Sequence, residues 1–422
     1  MANLEAAGFY LSARNAGLAV VNTCAVTRTA IAKGQWMINK ARRENPRAKI
    51  IVTGCWPKIN KLEAENCGVD LVWRGKNSVL VKNLKKLQIP QPKADPPRAE
   101  NNKYQVNLKY QNPNIQTLNG VQADTITAEA RGRSRYFLKI QDGCDQFCSY
   151  CVIPYARGRS RSRPATGILQ EAKEAIAAGY REIVLCGIHL GLYGRDCRTD
   201  LNELLKKMLN LTDIFRIRLS SIEVTEVSRG LIALMKNNKI ICPHWHIPLQ
   251  SGSDKILKLM KRPYNSRYYK RKIGEIRQAI PDAAITTDVI AGFPGETDQD
   301  FKSTIDLVKK LKFSRLHVFP FSAQDITTAA KLPGRVGVEE ITHRAQELRK
   351  LGEKLKTAYE NKFCGRMLEV LVEKEAGDRC EGKTEYYFDK KFVKSQIITV
   401  NGEFKWRETD LKGQLVKILK PA

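Results

Sequence analysis

From Tyr136 to about residue 320 the chain alternates short apolar runs with helical stretches, and this rhythm constrains the fold more than any other feature. Candidate strands are Tyr136–Ile140, Glu182–Gly187, Phe215–Ser221, His244–Leu249, Ala284–Ile290 and Leu316–Phe319. Helical patterns over Gly167–Ala178, Leu201–Leu209, Thr225–Met235, Arg267–Ile280 and Asp300–Leu311 separate them. Strands linked through helices pair in parallel, because a parallel neighbour is reached only by a long crossover. Six such strands predict an α/β fold, an open or partial (β/α) barrel, with a flat doubly wound sheet as the alternative. In either architecture sites gather at the C-terminal ends of strands.

The flanking regions have other rhythms. Leu18–Val21 reads as a strand ending at Asn22-Thr23-Cys24, followed by a basic helix from Thr27 to about Glu44. Lys49–Thr53 is a second strand, ending at Gly54-Cys55, and Val69–Trp73 a third, so a small parallel α/β domain is expected over residues 1–90. Residues 91–130 are rich in proline, asparagine and glutamine and read as a linker, with a weak strand near Tyr104 to Tyr110. The barrel-like region is expected over 131–360 and closes with a long polar helix from about Val338 to Asn361. Over 361–422 short strands at Met367–Val372, Tyr386–Phe388, Ile397–Val400 and Gln414–Leu419 read as a small OB-like β-barrel.

The formal net charge of +28 favours a polyanionic partner, nucleic acid before membrane, since neither a long apolar span nor a lipidation motif is visible. No basic segment followed by an apolar run opens the chain, which predicts a cytoplasmic protein. Eleven cysteines, an odd number in a chain without a visible signal, point to metal or redox chemistry before disulfides.

Cys144, Cys148 and Cys151 lie in the run Gly143-Cys-Asp-Gln-Phe-Cys-Ser-Tyr-Cys, directly after the first strand of the barrel-like region. Structural zinc needs four ligands, and no second pair follows at finger or ribbon spacing; a zinc-bearing nucleic-acid module is the competing reading. Three thiolates on a [4Fe–4S] cube leave one iron open to chelate a substrate. The C-x3-C-x2-C spacing resembles the radical S-adenosylmethionine superfamily. The resemblance implies that the open iron binds S-adenosylmethionine and that one electron, from a donor such as flavodoxin or ferredoxin, yields a 5′-deoxyadenosyl radical.

Val21-Asn-Thr-Cys-Ala-Val-Thr27 and Ile51-Val-Thr-Gly-Cys55 resemble the N-terminal domain of the methylthiotransferases. There three cysteines hold a second [4Fe–4S] cluster, and the resemblance assigns Cys24 and Cys55 to it. The family's first cysteine lies in a loop upstream of Leu4–Phe9, so the match implies either a start that is truncated or misassigned, or an auxiliary cluster with an incomplete shell. Cys67 fits no motif position and reads as a buried thiol. The resemblance also places Gly187 and Gly191, Ser221 and Glu223, Gln250, and Gly292 and Gly295 around the cofactor, each in a loop after a strand. His189, His244 and His246 read as structural or positional, and no catalytic acid or base is singled out. Arg157, Arg159, Arg161 and Arg163 follow the cysteine loop, and Arg131, Arg133 and Arg135 precede it; the first four are the candidate RNA contacts.

The tail resembles the TRAM domain, a small RNA-binding barrel, with Lys383, Tyr386, Tyr387 and Lys405 as candidate contacts. Asn22–Thr27, Lys139–Cys144 and Ile153–Pro164 look like the branch acting on threonylcarbamoyladenosine. Phe321–Thr328 departs from the family's proline- and glycine-bearing turn. The resemblance thus implies methylthiolation of C2 of that adenosine, at position 37 of tRNA. The alternatives are isopentenyladenosine tRNA, a ribosomal protein, or an inactive RNA-binding protein with an incomplete auxiliary cluster.

Overall fold

The computed structural model describes residues 9–11, 16–75, 79, 80, 84, 104–107, 134–211, 215–398 and 411–420. The chain divides into two compact units. The first takes Met1–Glu129, Tyr150–Gly158 and Ser322–Ala330; the second takes Ala130–Ser149, Arg159–Phe321 and Lys331–Ala422.

The first unit runs β1 (Phe9–Leu11), β2 (Leu18–Thr23), α1 (Arg28–Glu44), β3 (Lys49–Gly54), α2 (Trp56–Ile59), α3 (Lys61–Glu65), β4 (Leu71–Val72) and β5 (Tyr104–Asn107). The sheet order is β1-β5-β2-β3-β4, with every pairing parallel. β2 and β3 are almost continuously apolar because a central parallel strand is covered on both faces. Thr27 caps α1 by accepting from the Ala30 N–H at 3.1 Å. Gly34, Met37, Ile38 and Ala41 then recur at helical spacing and form its buried stripe. A short helix α4 (Ile153–Arg157) belongs to this unit, and Val152 and Ala156 join the core around Trp56. The weak strand expected near Tyr104 is thus a member of the sheet, inserted between β1 and β2. The rest of the expected linker lies outside the described residues, as do Arg131, Arg133 and Lys405.

The second unit carries six parallel strands: β6 (Tyr136–Lys139), β9 (Glu182–Cys186), β10 (Arg216–Leu219), β11 (His244–His246), β12 (Ala284–Ala291) and β13 (Arg315–Pro320). A two-residue ladder, β7 (Gln141–Asp142) with β8 (Arg161–Ser162), follows the first of them. Two three-stranded sheets, β6-β9-β10 and β11-β12-β13, are joined by parallel bridges Ile217–Ile241 and Ser221–His246. Strand order therefore equals chain order, with no reversal of winding, which sets the doubly wound alternative aside. The intervening helices are α5 (Ala165–Ala177), α6 (Leu201–Leu209), α7 (Arg229–Asn237), α8 (Asp254–Leu259), α9 (Ser266–Ala279) and α10 (Asp298–Leu311).

One face of these strands packs against helices: Tyr269 on α9 reaches Thr287 Oγ1 at 3.3 Å. By strand alternation, Thr286 and Asp288 point to the opposite, helix-free face. That face is polar. Glu182 bonds Arg216 Nε and, at 2.8 Å, Arg218 Nε. The remaining guanidinium donors reach carbonyls of the C-terminal region, Lys383 O at 2.7 Å, Thr384 O at 3.0 Å and Glu385 O at 3.1 Å.

That C-terminal region comprises α11 (Val338–Asn361), β14 (Met367–Ala376), β15 (Arg379–Thr384), β16 (Asp389–Val393), β17 (Ile397–Ile398) and β18 (Leu415–Leu419). Its antiparallel sheet has the order β16-β15-β14-β18-β17. The strand expected at Tyr386–Phe388 is instead the turn between β15 and β16, with Tyr387 at φ 67°. Its aromatic residues serve packing: Phe388 enters the core, and the Tyr387 ring stacks on His244 with centroids 4.1 Å apart. The true strand, Asp389–Val393, is too polar to announce itself.

Candidate iron–sulfur and cofactor site

The cysteine loop is shaped by its first residues. Gly143 and Phe147 both take positive φ, 77° and 45°, which turns the chain sharply on leaving β6. Gln141 clamps the turn, donating to Gly143 O and Ser160 Oγ at 2.8 Å each and accepting from the His189 N–H at 3.0 Å. A side chain at position 187 would press on this clamp, since a Cβ there would lie 3.0 Å from Gln141 Oε1.

Two of the loop's sulfurs meet hydrogen-bond donors. Cys144 Sγ accepts from the Gln146 N–H and lies beside His189 Nδ1, both at 3.4 Å. The other nitrogen of His189 is 2.7 Å from Glu226 Oε2. Burial disfavours the charged imidazole, but the bonds to Cys144 and Glu226 win and push its pKa up to about 9. Arg262 Nη1 donates to Cys148 Sγ at 3.1 Å, and the same guanidinium pairs with Glu223 and reaches Tyr264 Oη at 3.1 Å. Burial raises the Cys148 thiol, and Arg262 works against that rise. Cys148 is buried; Cys151 follows three residues later in the first unit. All eleven cysteines are free.

Donors aimed at sulfur favour thiolate, the form that ligates iron, so Cys144 and Cys148 fit an iron–sulfur cluster. Sequence reasoning missed Arg262 and Glu226. Arg262 comes from the connection between α8 and α9 and Glu226 from the one between β10 and α7, and a single arginine in a chain of this charge carries no signal.

In the first unit Cys24 and Cys55 sit at the C-terminal ends of β2 and β3. Gly54 between them must lack a side chain, because a Cβ at its φ of 104° would lie 2.2 Å from Thr23 O. Burial raises the Cys24 thiol, the Val26 N–H at 3.4 Å lowers it, and a neighbouring thiolate at Cys55 raises it again. The structure thus brings these two thiols within electrostatic reach of one another. Cys67, expected to be buried, is half-buried instead: it packs against the edge of the first unit's core and donates to Glu63 O at 3.4 Å.

The expected cofactor residues all fall after strand ends. Ser221 pairs with His246, and its carbonyl accepts from the Leu190 N–H at 3.4 Å. Glu223 is buried and held by Arg262. Gln250, at φ 65°, donates from its N–H to Asp288 O at 2.8 Å. Gly191 is packed so closely on Glu226 that a Cβ would lie 2.2 Å from its carboxylate. Gly292 and Gly295 have φ of 75° and 82°, and a Cβ at 292 would meet Ile341 at 2.3 Å.

The arginine run splits into different environments. Arg159 and Arg161 are exposed, Arg159 pairing with Asp145 at 3.5 Å. Arg163 instead donates to Lys139 O at 2.6 Å and Glu171 at 2.7 Å, so it braces β6 against α5. Arg157 lies on α4, where its charge lowers the Cys24 thiol. Ser322–Ala330, most of the departing segment, folds with the first unit. Ser322 Oγ accepts from the Arg28 N–H at 3.0 Å, and a cavity of about 400 Å³ is lined by Arg28, Trp56, Glu63, Gln324 and Asp325 among others.

A cysteine loop of this spacing after the first of six parallel strands defines a radical S-adenosylmethionine enzyme, and the model of the Radical SAM superfamily matches residues 138–308. A second model, "Uncharacterized protein family UPF0004", matches residues 1–73. The "Threonylcarbamoyladenosine tRNA methylthiotransferase MtaB" of Thermotoga maritima is 37% identical over 406 residues, 95% of this chain and 88% of the relative. The "tRNA-2-methylthio-N(6)-dimethylallyladenosine synthase" of Thermodesulfovibrio yellowstonii is 33% identical, covering 88% and 83%. The solved radical S-adenosylmethionine methyltransferase TsrM of Kitasatospora setae shares the fold at TM-score 0.50 and 14% identity, over 76% of this chain and 66% of that one. The chain belongs to the radical S-adenosylmethionine methylthiotransferase family. Membership implies a [4Fe–4S] cluster and S-adenosylmethionine as cofactors.

Proposed function

We propose that this enzyme methylthiolates C2 of N6-threonylcarbamoyladenosine at position 37 of tRNA. The observation that carries the reading is the similarity to a threonylcarbamoyladenosine enzyme across both units, at 37% identity over 95% of the chain. The cluster and S-adenosylmethionine supply the radical chemistry that an aromatic C–H bond requires. Cys144, Cys148 and Cys151 would hold that cluster, and Arg262 and His189 are placed to stabilise the thiolates of Cys148 and Cys144 through hydrogen bonds. Cys24 and Cys55 hold the auxiliary [4Fe–4S] cluster. Gly187, Gly191, Ser221, Glu223, Gln250, Gly292 and Gly295 shape the S-adenosylmethionine site at the strand ends of a partial (β/α) barrel.

Arg159 and Arg161 contact the tRNA backbone, with Arg157 and Arg163 ordering the segment between them. The antiparallel C-terminal sheet serves as a TRAM-type RNA-binding module. In this reading residues 1–90 form the methylthiotransferase domain, 131–360 the radical S-adenosylmethionine domain and 361–422 the TRAM domain, with 91–130 joining the first two. A flavodoxin or ferredoxin in the cytoplasm provides electrons. No described helix is long and apolar enough to cross a membrane.

The test is anaerobic reconstitution followed by assay on tRNA carrying threonylcarbamoyladenosine, dimethylallyladenosine or unmodified adenosine. About eight irons per chain and a methylthio mass gain on the first tRNA are expected. A gain confined to the second tRNA, or to a protein substrate, would overturn the assignment.

A further inference from the structure

On the helix-free face of β11, β12 and β13, three polar side chains from adjacent strands meet. His246 Nε2 lies 3.2 Å and His317 Nδ1 3.1 Å from the same oxygen, Asp288 Oδ1. The two rings stand 5.3 Å apart. His246 Nδ1 is taken by Thr286 Oγ1 at 2.9 Å, so both of its nitrogens are engaged. His317 differs. Its Nδ1 is fixed on Asp288, and among the described residues its Nε2 has no hydrogen-bond partner. Its side chain is 35% exposed, against 22% for Asp288 and 12% for His246. Burial alone would raise the Asp288 carboxyl, but His246 and His317 hold it far below the usual carboxylate range. The group is an anchored imidazole with one nitrogen left over and open to solvent.

Its position ties it to the cofactor loops. Asp288 O accepts from the Gln250 N–H, and His246 bridges to Ser221. The N6 substituents named for two of the related enzymes differ in chemistry. A threonylcarbamoyl group carries a carboxylate and a hydroxyl, whereas a dimethylallyl group is hydrocarbon. A hydrocarbon tail laid on this trio would strip water from Asp288 and His317 and return no hydrogen bond. A carboxylate or hydroxyl replaces the lost water with a bond to Nε2. With Nδ1 donating to Asp288, Nε2 is the nitrogen left to meet the substituent.

We propose that His317, positioned by Asp288 and His246, binds the carboxylate- and hydroxyl-bearing N6 substituent and so selects the polar substrate over the hydrocarbon one. This assignment rests on the function proposed above. It treats His317 as a specificity determinant that touches substrate, and Asp288 as a positioning residue.

The test uses the reconstituted full-length holoenzyme with the same three tRNAs, comparing wild type with His317→Phe, His317→Gln and Asp288→Asn. His317→Phe should raise KM for the threonylcarbamoyl tRNA at least tenfold with a smaller change in kcat. It should narrow the preference over the dimethylallyl tRNA by at least tenfold. Filter binding without S-adenosylmethionine should show the same loss for the threonylcarbamoyl tRNA and none for unmodified tRNA. His317→Gln, which keeps a polar group near the Nε2 position, should recover part of the loss. Iron content and cleavage of S-adenosylmethionine without tRNA should match wild type. A wild type that prefers the dimethylallyl tRNA sinks the function itself. A wild type that prefers threonylcarbamoyl, with an unchanged ratio in His317→Phe, sinks this assignment alone. Zinc bound at one ion per chain in wild type and lost in Asp288→Asn would also overturn it, by making His317 a metal ligand.

Discussion

Two charged groups on one face of the second unit invite comparison. Glu182, Arg216 and Arg218 are 0%, 2% and 1% exposed, and backbone carbonyls of the C-terminal region accept the guanidinium donors. His246, Asp288 and His317 are also mutually bonded, but they stay partly in water and leave Nε2 of His317 over. The first group is closed in geometry and in bonding, so it can do nothing but hold the C-terminal sheet to the parallel strands. The second is complete on one side and open on the other, which is what a recognition site requires. Burial and satisfaction, more than residue type, separate a structural ion cluster from a binding one.

Removing a charge from each region should sharpen the contrast. Glu182→Gln leaves two buried guanidinium groups without their counter-ion and should cost about 3–5 kcal/mol in urea unfolding. Burial would raise the Glu182 carboxyl, yet Arg218 and Arg216 hold it down at about 2. With a depressed folded-state pKa, its contribution is present above the ordinary carboxylate range and fades as pH falls toward 2. A variant as stable as wild type at pH 7 would break the comparison.

Glu385, beside the closed cluster, has the opposite sign. Burial lifts its carboxyl to about 7, against backbone N–H bonds that pull it down. The folded state therefore holds the extra proton between the ordinary range and pH 7, and stability declines as pH rises through that window. Glu385→Gln should remove the slope and stabilise the protein at pH 8 by on the order of 1 kcal/mol. Thermal unfolding across pH checks this, and an unaltered slope refutes it. The smallest stability effect belongs to the open group, where His317→Phe should change unfolding free energy by less than about 1 kcal/mol while altering substrate preference. A large loss of stability there would recast His317 as a structural residue.

Much of the scaffold could be read from the chain. The six parallel strands lie within a few residues of their expected positions, because apolar runs separated by amphipathic helices leave few alternatives. Cysteine spacing flagged Cys144, Cys148 and Cys151 for the same reason: local motifs survive in one dimension. Asp389–Val393 was invisible as a strand because only Phe392 and its neighbours in space make it one. Tyr386 and Tyr387, expected to meet RNA bases, pack against Phe363 and His244 instead. Arg163, grouped with three other arginines by sequence, separates from them once Glu171 and Lys139 O come within reach.

The amino-acid sequence alone determined the strand–helix order, the cysteine loop and the basic character, since each is written in spacing or composition. Only the tertiary structure decided which polar groups share a partner. Arg262 with Cys148, Glu226 with His189, and Asp288 with His246 and His317 are brought together from separate strands or loops. Such pairings depend on strand register and on which face each side chain takes. No local pattern encodes that, because it is set by how every strand packs against its neighbours.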